Sequence, residues 1–369
     1  MQKDYRNDFR IFPSTSQRWL AVFVIAIAIA TPFLLSAELT PPLGLPWKGW
    51  APAINFALIG AIGAAAFNLL LGYTHQISMA HVALLIVGAL VGAQLGAIWH
   101  ANFLLVLLVA TIAGALIGAL VALPALRLKG LYLLVATLGV HYIALLVYSR
   151  FLVDNFGFTS IAYPEPVLPS FLARFPFYTV RNDKPFEISG NFRWYWVLLA
   201  ATVGSLLFMA NIVRSRIGRS FRAVGEYDVA AALIGINVTR TKLIAFSVSS
   251  AFVAFSGALG AYYVGTRGES SFDLTLVLFY AIMIVIGGFS SLQGAVFGAF
   301  FYYLAPVLLG WLREKAPGIK SVDFIQRYGP QTDLGLFGVL IILVLVLRPK
   351  GLVGLWQDIK RYFRSWPYE

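Results

Sequence analysis

Residues 103–122 read Phe103-Leu-Leu-Val-Leu-Leu-Val-Ala-Thr-Ile-Ala-Gly-Ala-Leu-Ile-Gly-Ala-Leu-Val-Ala122, with no charged side chain anywhere in the run. Crossing the hydrocarbon core of a bilayer takes about 20 apolar residues of helix, so this stretch reads as a transmembrane span. Working outward, comparable runs lie near 19–36, 52–71, 77–97, 131–153, 194–212, 243–264, 274–289, 294–312 and 334–347. They predict an all-α membrane protein, a polytopic bundle of about ten transmembrane helices. The runs at 274–289 and 334–347 are short for a full crossing, so some helices are expected to be tilted, broken or re-entrant.

Composition agrees. Of 369 residues, 59% are hydrophobic and 12% charged. Soluble domains carry about 25% charged residues, so most of this surface must face something other than water. The length would accommodate two or three soluble domains, but no long polar block interrupts the apolar runs. The first run has basic residues before it and Ser36 and Ala37 after it, as a signal peptide would. Its apolar stretch exceeds the usual signal h-region, and it is read as a retained span.

Ten spans place both termini on one side. If that side is cytoplasmic, its segments are 1–18, 72–76, 123–130, 213–242, 290–293 and 348–369. These hold 17 Lys and Arg against 6 Asp and Glu, whereas the rest of the chain holds 11 against 10. Basic residues are retained on the cytoplasmic side, which predicts an N-in, C-in topology. The net charge of +12 is thereby explained by orientation and calls for no nucleic-acid partner.

The spans contain no Asp, Glu or Lys, and Arg150 sits at an outer end where it can snorkel. Carriers driven by protons or ions generally need intramembrane carboxylates or similar relays. The chain also has no G-x-x-x-x-G-K-[ST] nucleotide loop. Either the protein is a passive pore or another subunit supplies the energy. With no cysteine, and with His75, His81, His100 and His141 as the only histidines, no metal site or cofactor is expected.

Many of the 33 glycines recur every four residues, as in Gly88/Gly92/Gly96, Gly114/Gly118 and Gly294/Gly298. Such stripes let helix backbones approach closely in lipid. Two other stretches set glycine beside hydroxyl and amide side chains at the edge of apolar runs. They are Gly72-Tyr-Thr-His-Gln-Ile-Ser-Met-Ala-His81 and Gly287-Gly-Phe-Ser-Ser-Leu-Gln-Gly294, in comparable positions of the two halves. Matching interruptions of this kind point to a binding site made from broken helices; a pair of tight cytoplasmic turns is the plainer reading, and both stay open. Ser78 and His81 share a helical face, but no membrane carboxylate is available to orient the imidazole, which argues against catalysis.

The segment 213–242 is more than a charged tether. Residues 226–234 are good helix formers with an acidic start at Glu226 and Asp228, and Gly235 follows as a stop. Ala223, Tyr227, Ala230 and Ile234 fall on one face. Small alanines around a tyrosine suit a protein groove better than a lipid interface.

Here a resemblance becomes specific. Arg219-Ser-Phe-Arg-Ala-Val-Gly-Glu-Tyr-Asp-Val-Ala-Ala-Ala-Leu-Ile-Gly-Ile-Asn-Val-Thr-Arg-Thr-Lys-Leu-Ile-Ala-Phe246 resembles the coupling loop of the branched-chain amino acid ABC permease family, the LivM-type subunit. The stretch 72–81, the Leu123-to-Gly130 junction with Ala136-Thr-Leu-Gly139, the stretch 287–294 and Leu347-Arg-Pro-Lys-Gly-Leu352 are similar to further motifs of that family. His75 and Ala80 stand where the family commonly has glycine.

The resemblance implies a membrane-spanning permease subunit of an ATP-driven importer in the bacterial inner membrane, not itself an enzyme. It implies a sister permease, two cytoplasmic ATP-binding subunits and a periplasmic solute-binding protein as partners. Gln76, Ser78, His81, Thr137, Gly287, Gly288 and Ser290 become candidate pathway residues. Arg222, Glu226, Tyr227, Ala230, Ala231, Ile234 and Gly235 become candidate coupling residues. The expected organisation is a cytoplasmic segment 1–18, a permease domain 19–347 and a cytoplasmic tail 348–369. The permease domain includes an external segment 154–193 and the coupling loop 213–242. The expected solute is a branched-chain or other hydrophobic amino acid, with urea, short amides or small aromatic acids as alternatives. An uncoupled channel is the competing function; it leaves the helix after Arg222 without a purpose.

Overall fold

A computed structural model describes residues 30–32, 47–76, 78–126, 128, 130–156, 160–163, 190–315, 329–347 and 351–354. The elements in chain order are α1 (Trp47–Leu71), α2 (His81–Val91, continued by a π-helix Gly92–Ile98), α3 (Phe103–Ala125) and α4 (Leu131–Phe156). Strand β1 (Ser160–Ala162), α5 (Asn191–Arg214), α6 (Arg216–Glu226), α7 (Asp228–Leu233) and α8 (Val238–Val264) follow. Strand β2 (Thr266–Gly268), a 3-10 turn (Glu269–Phe272), α9 (Thr275–Gly287), α10 (Leu292–Lys315) and α11 (Gly329–Leu347) complete the order.

Among the described residues, eight helices are long and apolar enough to cross a membrane. The protein is therefore an all-α, multi-pass membrane protein. Helix α11 covers the last of the predicted runs. Most of the first run, the segment 1–18, most of 154–193 and most of the tail lie outside the described residues.

Two boundaries differ from the hydropathy reading for local reasons. Helix α2 starts at His81 rather than near 77. The Met79 N–H donates to Thr137 Oγ1 (2.8 Å) and the Ala80 N–H to Ser78 Oγ (3.2 Å), which draws this backbone out of a helical ladder. Helix α8 starts at Val238, five residues early, because the Asn237 side chain accepts from the Arg240 N–H at 2.9 Å and caps the helix.

Helix α1 is the centre of the bundle, with 89% of its apolar window buried, against 22% for α4 at the perimeter. It packs on α10, α8, α5 and α9, and α8 in turn packs on α3 and α2. Hydroxyls lock these contacts. Ser249 donates to the Ala66 carbonyl (2.7 Å), Ser256 to Ile59 (3.0 Å), Thr202 to Leu58 (3.0 Å) and Ser247 to Ala115 (2.9 Å). In lipid such interhelical bonds and close backbone packing take the place of the hydrophobic drive. The Gly114/Gly118 stripe accordingly lies against Ala254 and Ser250 of α8, and Gly294/Gly298 against Gly287 and Met283 of α9. Only Gly88 of the third stripe meets helix backbone; Gly92 and Gly96 face the rings of Tyr163 and Tyr262. Leu104, Leu108, Leu116 and Leu120 of α3 and Ile143 and Leu146 of α4 point outward, an apolar perimeter.

At the opposite end of the bundle from the 72–80 break, β1 pairs antiparallel with β2, setting Ile161 opposite Arg267. Hydropathy carried no sign of this long-range strand pair.

Candidate functional site

The nine residues from Gly72 to Ala80 link α1 to α2 without helix, and all of those described except His75 and Met79 are buried. Several polar groups there have close partners. The Gln76 N–H donates to the Leu70 carbonyl (3.2 Å) and its amide nitrogen to Thr74 Oγ1 (3.1 Å). Thr137 Oγ1 donates to the Leu133 carbonyl of its own helix (2.9 Å) while accepting from Met79, so it splices α4 to the break.

The second glycine stretch folds directly onto the first. Ser290, at φ 56° in the left-handed region, donates through Oγ to the Gly72 carbonyl. Asn68 of α1 completes the clasp, its Nδ2 donating to the Ser291 carbonyl (2.8 Å) and its Oδ1 accepting from the Ser290 N–H (3.2 Å). Gly287 is packed on Gly294, and Gly288 adopts φ 120°, open only to glycine. Gly351, beyond α11, sits against Ile286 and Gly288. Three motifs far apart in sequence thus meet at one end of the bundle.

The coupling segment meets them there. One helix over 226–234 is the sequence expectation; instead α6 ends at Glu226, Tyr227 is extended (φ −158°, ψ 105°) and α7 runs only from Asp228 to Leu233. Asp228 does open a helix and is paired with Lys242 of α8 (2.5 Å). Gly235 ends α7 at φ 85°, as expected of a stop. The break at Tyr227 arises because α6 is already committed: Phe221 and Val224 are buried, and Gly225 lies on the Tyr73 carbonyl where a Cβ would not fit. Arg222 sits over the Tyr73 ring at 5.4 Å, and His75 Nδ1 lies 2.6 Å from the Gly225 carbonyl. Burial pushes the Tyr73 phenol above its ordinary pKa, and Arg222 beside it works the other way. Beyond this anchorage Tyr227, Ala230 and Ile234 are exposed on one face, with Val229 and Leu233 alongside; Ala231 alone of the expected coupling residues in α7 is buried.

His81 stands at the head of α2, its ring between Phe67 and Tyr280 with centroids 4.5 Å from each. It is buried, and Nε2 has no partner. Among the described residues no hydrogen bond joins it to Ser78. Sequence reasoning missed Arg267. It lies outside every apolar run, but from β2 its guanidinium turns back into the bundle, where Nη2 donates to the Gly260 carbonyl (3.3 Å). Nothing in hydropathy distinguishes an arginine that turns inward from one left in solvent.

This arrangement of interlocked breaks and an anchored, outward-facing helix pair can now be set beside known proteins. The family model of the branched-chain amino acid transport system permease component matches residues 51–345. The chain belongs to this family. Two similar permeases are the high-affinity branched-chain amino acid transport system permease proteins LivM of Salmonella typhimurium and Escherichia coli. They are 27% and 26% identical to it, and each alignment covers 92% of this chain and 76% of the relative. A third, the LivH permease protein of Escherichia coli, is 29% identical over 43% of this chain and 46% of its own length. No solved structure matches the chain. As a permease component, the chain is a transport protein, and the match runs through all three converging motifs except Gly351.

Proposed function

We propose that the protein is the membrane-spanning subunit of an ATP-driven importer in the bacterial inner membrane that carries branched-chain or other hydrophobic amino acids. It works beside a sister permease, with two cytoplasmic ATP-binding subunits and a periplasmic solute-binding protein. The substrate class follows the printed names of the LivM and LivH relatives. Ten spans with both termini inside, a permease domain over 19–347 and a cytoplasmic tail from 348 complete this reading, on the charge asymmetry of the sequence.

One observation carries it: the exposed apolar face at Tyr227, Val229, Leu233 and Ile234 is mounted on α6, which is anchored to the break after α1 through Arg222–Tyr73 and His75–Gly225. A channel needs no such mount. In an importer, Tyr227, Ala230, Ile234 and Gly235 seat on a motor subunit, and Arg222, Glu226 and Ala231 hold the seat in place. A push on this face then reaches Gly72 and Ser290 directly. Gln76, Ser78, His81, Thr137, Gly287, Gly288 and Ser290 form the element whose rearrangement opens or closes the solute path.

The test is to purify the chain in mild detergent from its native membrane, identify the copurifying subunits and reconstitute them with the binding protein. ATP-dependent leucine uptake is the expected result. A lone chain that passes leucine or urea without ATP establishes the channel instead.

A further inference from the structure

Arg267 is a largely buried charge without a carboxylate partner among the described residues. Its Nε is shut off from solvent and has no hydrogen-bond partner, and no carboxylate among the described residues lies within ion-pair distance. The ring of Phe272 lies 5.8 Å from the guanidinium carbon, and the phenols of Tyr280, Tyr163, Tyr303 and Tyr148 are within electrostatic reach. Its backbone is held by the pairing of β2 with β1 and by the Tyr148 hydroxyl, which donates to its carbonyl (3.3 Å). Burying a charge costs several kcal/mol unless it is paired, roughly. The lone bond to Gly260, in the last turn of α8, leaves most of the donors of the fork unused.

A second orphaned group lies within the bundle. Tyr280, itself buried, is within electrostatic reach of Arg267, and its ring is tilted against that of His81 with centroids 4.5 Å apart. His81 Nε2 is also buried without a partner. Orphaned buried polar atoms are few in native proteins and each calls for a reason. Here one touches Tyr280 through its ring and the other is within its electrostatic reach, between the strand-paired end of the bundle and the glycine break. Glycines rather than larger residues line the adjoining helices, with Gly60 against Tyr303, Gly63 against Tyr280 and Gly260 against Arg267.

We propose that Arg267 receives the carboxylate of the solute at the strand-paired end of the bundle. A guanidinium fork matches a carboxylate in shape and charge. The inference rests on the importer reading and narrows it, because a carboxylate-bearing solute fits this group and urea or a simple amide does not.

The experiment uses the complete reconstituted transporter, with radiolabelled leucine as the probe and ATP hydrolysis measured in the same vesicles. Arg267→Gln is expected to lower leucine uptake about tenfold or more, the scale of a lost charge-assisted hydrogen bond, while hydrolysis stimulated by the loaded binding protein persists. Arg267→Lys recovers part of the uptake. Gly260→Asp supplies a resident carboxylate: a Cβ there meets Arg267 Nη2 at 3.4 Å in ordinary contact, and the variant, once its membrane content is shown to match wild type, is expected to block leucine uptake by occupying the fork. If Arg267 serves only to cap α8, Gly260→Asp transports normally, and that result overturns the proposal. So does leucine uptake by Arg267→Gln within about twofold of wild type. A wild-type assembly that shows no ATP-driven leucine uptake at all overturns the importer reading instead, and the inference with it.

Discussion

The Nδ1 of His75 lies 2.6 Å from the carbonyl oxygen of Gly225, joining the break between α1 and α2 to the end of the first coupling helix across 150 residues of sequence. A carbonyl can only accept, so Nδ1 carries the proton. To reach it His75 takes φ 49°, a left-handed backbone that few residues other than glycine adopt readily. The bond therefore offsets a local conformational cost, and it does so where the proposed push must cross.

Replacing His75 with glycine separates these two effects. The backbone relaxes while the bond is lost, so the protein is expected to reach the membrane in normal amount. ATP-driven uptake is expected to fall about two- to tenfold, the worth of one hydrogen bond. Uptake equal to wild type shows the bond to be incidental.

Gly225→Ala acts on the same junction from the other side. A Cβ there collides with the Tyr73 carbonyl, which is backbone and has no easy way to yield. The variant is expected to hydrolyse ATP with little solute delivered, because α6 no longer seats on the break. Arg222→Ala, which removes the cation over the Tyr73 ring, is expected to show a milder form of the same defect, by about 0.5–2 kcal/mol.

Leu233 and Ile234 are 83% and 73% exposed. Their replacement by aspartate is expected to leave thermal stability within about 0.5 kcal/mol of wild type. The ATP-binding partner should nonetheless be lost on copurification. Retention of the partner through both substitutions removes α7 from the docking surface.

Thr137→Val keeps shape but takes away the acceptor of the Met79 N–H. A buried donor left unpaired costs about 1–3 kcal/mol, which thermal unfolding in detergent will read as a lower midpoint. Thr137→Ser restores the oxygen and is expected to recover most of the loss; equal stability of the valine variant places the Met79 N–H elsewhere.

Gly298→Ala tests the packing of α9 on α10. The added methyl meets the Met283 backbone, and overpacking of this kind costs about 1–3 kcal/mol. Reduced membrane content or a lowered unfolding midpoint is the expected outcome. A neutral result means that the two helices separate without penalty.

Much of the architecture was legible along the chain, because a bilayer leaves few options. Every unbroken apolar run such as 103–122 must satisfy its backbone within itself, and a helix does so. Eight of the expected spans are present within a few residues, and Gly235 stops a helix where its sequence context said it would. The glycine stretches at 72–81 and 287–294 were visible as interruptions, since glycine and hydroxyl residues at the edge of an apolar run are a local signal. What no local signal carries is which distant groups share a space. That Ser290 bonds Gly72, that Gly225 rests on Tyr73 and splits the expected helix at Tyr227, and that Arg267, paired with Ile161, turns inward to Gly260 all depend on how separate segments pack. Helix formation is set by neighbours three and four residues away, whereas the partners of a buried polar group are set by how the helices pack.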